Sequence, residues 1–460
     1  GEFYLYDTVT FIGEDNIGAN SYYGLFDPFT VLMALFPRSA IPQLYAISTV
    51  IKLTLTTFFA RMYLKYRGIS EGASRFGAVA IAFSGYLNFM VGFPTFVSAI
   101  TYAPLVLYGI EKVIREKKIV ALSVGIFLMM LSCFLLVVTI CIWGVIYAGF
   151  RYFCTIKERK ALDNVLVIVA GVAGFGIGLL LGAWILIPSF RLSSSTGRPA
   201  SIGSAYMHAL IDALKAKDFH EFFRLFFLEV GENPGREMMG LISFFYPTGG
   251  FQVLPLLRSS TNTYDAWTAS YFCFTPFVIL FFSGIIHSIK EKRISHIIAI
   301  LGCLTLVFTT FAYYFFFGFS GNGYGRWYFV LVPAIVYYGC WAYDKRKSGP
   351  IWIPLVGAIL ALVGTILSYC AIYWALENLR FEGATYVTYY PSVFMMPNED
   401  FQSLLRFWYL YYEIGLIAVE TIILLVGYRK KWLSHAMLIF VALRSEERRV
   451  GKECRSRWSP

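Results

Sequence analysis

The stretch SGNGYGRWYF, residues 320–329, places Arg326 behind three glycines and Asn322, and ahead of an apolar run. A guanidinium can hold a phosphate through two parallel hydrogen bonds. Glycines let the backbone approach a ligand closely, and the first amides of a following helix add partial positive charge. Arg326, with Asn322 and Trp327 beside it, is therefore a candidate anion site. The competing reading is an arginine that snorkels to lipid headgroups. Arg191 and Arg198, which follow Pro188, allow the same two readings.

Acidic candidates gather in GEDNIGANSYYGLFDPFTVLMALFP, residues 13–37. Carboxylates beside a membrane face can act as general base or bind a divalent cation. Asp15 is a candidate base or a solvated loop residue. Asp27 is a candidate binding residue, but Asp27-Pro28 is also good helix-start chemistry, with Pro28 at the first helical position. Lys52, Glu413 and Glu420 fall inside apolar runs, as an ion-paired set or pieces of a proton path. His208 and His220 read as surface residues. The eight cysteines lie mostly within apolar runs, and no two are spaced C-x-x-C. They read as core residues, and no metal site is expected. The chain has no P-loop, dinucleotide fingerprint, serine elbow or H-E-x-x-H motif.

These residues must be positioned by membrane helices. The chain is 58% hydrophobic and 15% charged, with mean hydropathy +0.62, where a soluble domain carries about 25% charge. Apolar blocks near the length of one span recur along it. The expected spans are 41–64, 73–91, 95–110, 119–136, 137–153, 165–188, 268–287, 294–318, 327–343, 350–376, 407–427 and a segment from 432. The run 119–153 is too long for one span and must be split. The fold class is all-α, a polytopic bundle of about 11–12 spans. A β-barrel is excluded by the absence of long dyad alternation.

The formal charge of +11 resides mainly in short loops. Arg61/Lys65/Arg67/Arg75, Lys112/Arg115/Lys117/Lys118, Lys157/Arg159/Lys160, Lys290/Lys292/Arg293, Lys345/Arg346/Lys347 and Arg429/Lys430/Lys431 all fall on one side of a single threading. Short positive loops lie in the cytoplasm, so Arg326 and the long loops lie outside. No basic groove for nucleic acid can be read. The expected organisation is an extracytoplasmic loop 1–40 after a missing first span, then transmembrane helices 41–188. A large extracytoplasmic loop 189–266 follows, then transmembrane helices 267–443 with an extracytoplasmic loop 377–406. The tail 444–460, RSEERRVGKECRSRWSP, resembles a translated sequencing adapter and is expected to be non-native. The loop segment 206–230 segregates polar and apolar residues at helical spacing, as an interfacial helix does.

Four stretches together carry a resemblance: GEDNIGANSYYGLFDPF (13–29), AIAFSGYLNFMVGFPTFVSAITYAPLVLYGIEKV (80–113), GAWILIPSFRLSSSTGR (182–198) and FSGNGYGRWYF (319–329). In this order they resemble YfhO-type bacterial membrane proteins over most of residues 1–427. The resemblance implies a GT-C-like glycosyltransferase of the bacterial cytoplasmic membrane. Such an enzyme takes sugar from a polyprenyl-phosphate donor and passes it outside to a cell-envelope acceptor such as lipoteichoic acid. It implies an external carboxylate as base, Asp15 here as a fallback for one upstream of residue 1, and Arg326 on the leaving phosphate. It also implies Tyr22, Tyr23 and Trp327 at the sugar, unless they belong to the aromatic belt. No cofactor beyond a possible divalent cation is implied; membrane lipids are the other partners. The reading from a different class is a transporter or lipid flippase, using Lys52, Glu413 and Glu420 near the midplane.

Overall fold

The computed structural model describes residues 6–7, 14–15, 24–90, 94–155, 161–195, 202–227, 244–245, 272–319, 325–346, 349–378, 411, 414–430 and 432–440. A two-residue antiparallel pair, β1 (Tyr6–Asp7) and β2 (Glu14–Asp15), precedes the helices. In chain order these are α1 (Pro28–Met33), α2 (Ile41–Tyr66), α3 (Glu71–Ala82), α4 (Gly85–Met90), α5 (Pro94–Glu116), α6 (Val120–Ser132), α7 (Phe134–Thr155), α8 (Ala161–Leu181), α9 (Ala183–Ser195), α10 (Ile202–Lys215) and α11 (Phe219–Phe227). They continue as α12 (Thr275–Lys290), α13 (Ile294–Val307), α14 (Thr310–Phe315), α15 (Leu331–Lys345), α16 (Trp352–Asn378) and α17 (Ile414–Val426). The protein is an all-α helical membrane protein. Among the described residues, Thr95–Glu116, Leu136–Cys154 and Ala161–Leu181 are each long and apolar enough to cross a bilayer.

The helices group into two compact units. The first comprises residues 1–68, 90–219 and 312–323. Its centre is α2, α5, α6 and α8. Helix α2 opens with proline in its first turn and stops at Gly68, whose φ of +87° ends the helical path. Cys133, in extended conformation (φ −163°, ψ 99°), divides α6 from α7. This is the break the over-long run 119–153 required. Helix α8 meets α6 through small residues. A β-carbon at Gly178 would lie 2.7 Å from Ile126 Cβ and 2.8 Å from the Ser123 carbonyl oxygen, and Ser123 Oγ donates to the Gly174 carbonyl at 2.9 Å. The other face of α8, with Leu162, Val165, Val169, Val172 and Leu180, is exposed, as a lipid-facing surface must be.

The second unit comprises residues 69–89, 220–311 and 324–460. Phe76 of α3 packs its ring 5.6 Å from Phe277 of α12 and 4.8 Å from Tyr343 of α15. Ser70 caps α3, and its backbone N–H and hydroxyl both donate to Asp344, the N–H at 2.8 Å. Four expected spans differ from expectation by being built of two consecutive helices, among them 165–188, where α8 gives way to α9 at Gly182. The span 73–91 breaks at Phe83–Ser84, where the Gly85 N–H leaves the helical ladder and donates to the Phe272 carbonyl at 2.7 Å. The span 294–318 breaks between Val307 and Thr310, and 327–343 opens as a 3-10 turn, Gly325–Val330, before α15.

Candidate functional site: a buried polar anchor below the N-terminal segment

The polypeptide leaving the acidic N-terminal segment turns at Gly24–Asp27, where the Asp27 N–H donates to the Gly24 carbonyl at 3.0 Å. Gly24 has φ +75°, and a β-carbon there would lie 3.0 Å from the Ser132 carbonyl oxygen and 3.2 Å from Thr95 Oγ1. Only glycine satisfies both the dihedral and the space. Phe26 then stacks edge-on against Trp184 of α9 at 4.5 Å.

Asp27 uses both carboxylate oxygens. Oδ1 accepts the Phe29 N–H at 2.9 Å, capping α1, and Pro28 occupies the first turn. Oδ2 accepts from Lys52 Nζ of α2 at 3.2 Å and from Ser98 Oγ of α5 at 2.7 Å. Both members of the ion pair are buried. The ammonium also lies 5.2 Å from the centre of the Phe29 ring. One turn further along α2, Thr56 Oγ1 lies 2.7 Å from the Lys52 carbonyl oxygen and 3.0 Å from Thr101 Oγ1 of α5. The sequence grouped Lys52 with Glu413 and Glu420; the structure supplies Asp27 as its counter-charge. Capping chemistry at Asp27-Pro28 is observed as expected, with an added role that the sequence left unread.

A buried opposite pair of this kind is electrically neutral and satisfied, so it fixes the chain rather than reacting. The chain emerging at residue 24 is thus tied to α2, α5 and α9 at a defined point. Asp15 stands upstream, in the short strand β2 paired with β1. The side chains of Asp15, Tyr22 and Tyr23 lie outside the described residues.

Arg191 is exposed on α9, beyond Pro188 within the same helix. Arg198 and Asn322 lie outside the described residues, and so does the side chain of Arg326. The backbone of Arg326 lies in the 3-10 turn, six residues long, that precedes α15, not at the start of the α-helix itself. Trp327 in that turn is fully buried, with its ring 4.9 Å from Tyr328. In the same turn, Phe329 lies 5.7 Å from Tyr86. His208 and His220 are exposed, as expected. Among the described residues no group of three His, Cys, Asp or Glu side chains is placed to hold a metal ion.

A second polar cluster sits toward the other end of α2 and α5. Glu111 of α5 is fully buried and binds Arg67, Arg115 and Arg151. By sequence Arg67 and Arg115 fall in basic loops, and neither Glu111 nor Arg151 stands out. A carboxylate inside a long apolar helix was the available signal. The two sets of contacts make α2 and α5 parallel: Lys52 and Thr56 meet the start of α5, Arg67 meets its end. Along α2 the two clusters are separated by roughly 22 Å.

A family model described as bacterial membrane protein YfhO matches residues 1–220. The matched stretch contains the N-terminal acidic segment, the Asp27–Lys52 anchor and the Glu111 cluster. The resemblance read from the sequence therefore holds over this part of the chain. No curated protein and no solved structure matches the chain.

Proposed function

We propose, from the YfhO match over residues 1–220, that the chain is part of a GT-C-type glycosyltransferase of the bacterial cytoplasmic membrane. It moves a sugar from a polyprenyl-phosphate donor to a cell-envelope acceptor, such as lipoteichoic acid, on the extracytoplasmic face. The family match carries the reading; the anchor at residue 27 supports it. Asp27 binds Lys52 of α2 and Ser98 of α5, and Phe26 meets Trp184 of α9, so the chain is fixed where the acidic segment ends. Pre-organisation of this kind lowers the cost of orienting reactants.

In the proposed reaction an acceptor hydroxyl oxygen attacks the anomeric carbon. Its proton passes to a carboxylate, for which Asp15 stands as the candidate within this chain. The bond from the anomeric carbon to the phosphate oxygen breaks, and the electron pair stays on the polyprenyl phosphate. Arg326 neutralises that developing charge, with Asn322 beside it. Arg191 and Arg198 offer a second phosphate contact, and Tyr22 and Tyr23 offer aromatic surface to the sugar, whereas Trp327, fully buried, backs the turn that carries Arg326. A divalent cation on the external carboxylates is compatible with the chemistry and is not required by it.

The test is transfer of radiolabelled sugar from a polyprenyl-phosphate donor in membrane vesicles. Arg326→Ala is expected to lower transfer by about 10²–10³-fold, the scale of one lost charge-stabilising donor. Expression should be unchanged. Arg326→Lys should restore part of the activity, because an ammonium lacks the planar fork. Asp15→Asn should lower transfer by about 10²-fold or more. Near-wild-type transfer by Arg326→Ala would make this residue a headgroup anchor. Movement of lipid across the vesicle without sugar transfer would favour a flippase.

A further inference from the structure

The Glu111 cluster holds more positive charge than its carboxylate can satisfy. Oε1 accepts from Arg67 Nη1 and Arg151 Nε, both at 2.6 Å, and from the Tyr147 hydroxyl at 2.7 Å. Oε2 accepts from Arg151 Nη2 at 3.2 Å. Arg115 is the third guanidinium, at 3.3 Å from Oε2, and is the most exposed of the three. It reaches a carboxylate already occupied by two arginines and a tyrosine.

Arg115 is also held from the other side. Its guanidinium carbon lies 5.0 Å over the Tyr66 ring, and Nη1 donates to the Tyr66 carbonyl at 3.2 Å. Lys112, one turn earlier on α5, places Nζ 5.2 Å over the Tyr108 ring. The Tyr66 and Tyr108 rings are themselves 5.3 Å apart, edge to face. Two cations are thus fixed side by side on a pair of tyrosines. A further carboxylate, Glu116, accepts from the Tyr66 hydroxyl at 2.7 Å, pairs with Lys118 at 2.8 Å and attracts Lys112 more weakly, so Glu111 and Glu116 together face Arg67, Arg115, Arg151, Lys112 and Lys118. Holding like charges together costs energy unless an anion lies between them.

This group sits at the end of α5, at the boundary where an apolar helix gives way to charge. Tyrosine is enriched at that level of a membrane, and basic pockets between helices there bind anionic headgroups. Helix α7, which carries Arg151, exposes Val145 and Phe153, apolar surface of the kind acyl chains cover. We propose that Arg115 and Lys112, posed on Tyr66 and Tyr108 above the Glu111 cluster, bind the phosphodiester headgroup of an anionic phospholipid. Glu111 acts as a keystone that fixes the arginines before the lipid arrives. This inference does not depend on sugar transfer.

The experiment is native mass spectrometry of the purified full chain in detergent, titrated with phosphatidylglycerol, phosphatidylcholine or inorganic phosphate. The wild type should retain phosphatidylglycerol in preference to phosphatidylcholine. Removal of one surface charge should weaken retention by about fivefold, and of two by about thirtyfold. Arg115→Gln/Lys112→Gln should therefore lose the preference, while Arg115→Lys/Lys112→Arg should keep it. Equal retention of both lipids by the wild type would overturn the proposal, without need of any variant. So would an unchanged preference in the double glutamine variant. Displacement of phosphatidylglycerol by millimolar inorganic phosphate would assign the site to free phosphate instead.

Discussion

Asp27 and Lys52 are 25 residues apart in the chain and meet at 3.2 Å inside the first helical unit. Each removes the other's unpaired charge from an apolar interior. Loss of one member leaves the other buried without compensation, which costs about 3–5 kcal/mol. Lys52→Met should therefore lower the thermal unfolding midpoint in detergent sharply. The double variant Asp27→Asn/Lys52→Met should recover part of the loss, because Asn still caps α1. A midpoint unmoved by Lys52→Met would show that the pair is not buried in the folded protein.

Gly24 occupies a left-handed conformation against the Ser132 carbonyl. Alanine there should cost about 1–2 kcal/mol from the dihedral alone, with the steric approach adding to it. Gly176→Ala is the matched control, because a β-carbon there meets nothing within 4 Å. The two unfolding midpoints, measured side by side, should separate, with only Gly24→Ala lowered.

Glu291, in the turn between α12 and α13, binds Lys345 at 2.8 Å and Arg293 at 2.7 Å. Burial works against its ionisation, but the bonds and charges of Lys345 and Arg293 outweigh it and hold the carboxyl below the usual carboxylate range. A lowered folded value means that the stabilisation is present above the unfolded value, about pH 4.3, and is lost as the pH falls through the folded one. Glu291→Gln should thus be less stable than the wild type at neutral pH and should match it in strong acid. Both partners are partly exposed, so the gap is small. Unfolding midpoints recorded from pH 7 down to pH 3 check the convergence.

The charge threading places the basic loops in the cytoplasm and the segment around α10 and α11 outside. Lys118 and Asp218 are both exposed. In intact cells Asp218→Cys should react with a membrane-impermeant thiol reagent, while Lys118→Cys should react only after the membrane is opened. The reverse pattern would invert the topology and remove Arg326 from the external face.

Much of the helical plan was legible in the sequence. The expected span 41–64 is Ile41–Tyr66, and 350–376 is Trp352–Asn378. Hydropathy and loop charge are properties of consecutive residues, so they survive without knowledge of neighbours. The helix start at Asp27-Pro28 was legible for the same reason: a cap bonds to an amide two residues away. Only the tertiary structure decided the rest. Lys52 pairs with Asp27, and Glu111 gathers Arg67, Arg115 and Arg151, because α2, α5 and α7 bring particular faces together. The break at Ser84 follows from a carbonyl at Phe272, far along the chain. A buried charge announces that it needs a partner, but which partner it finds depends on helix rotation and register. Those are set by packing across the bundle, where small residues such as Gly178 allow helices to close on one another.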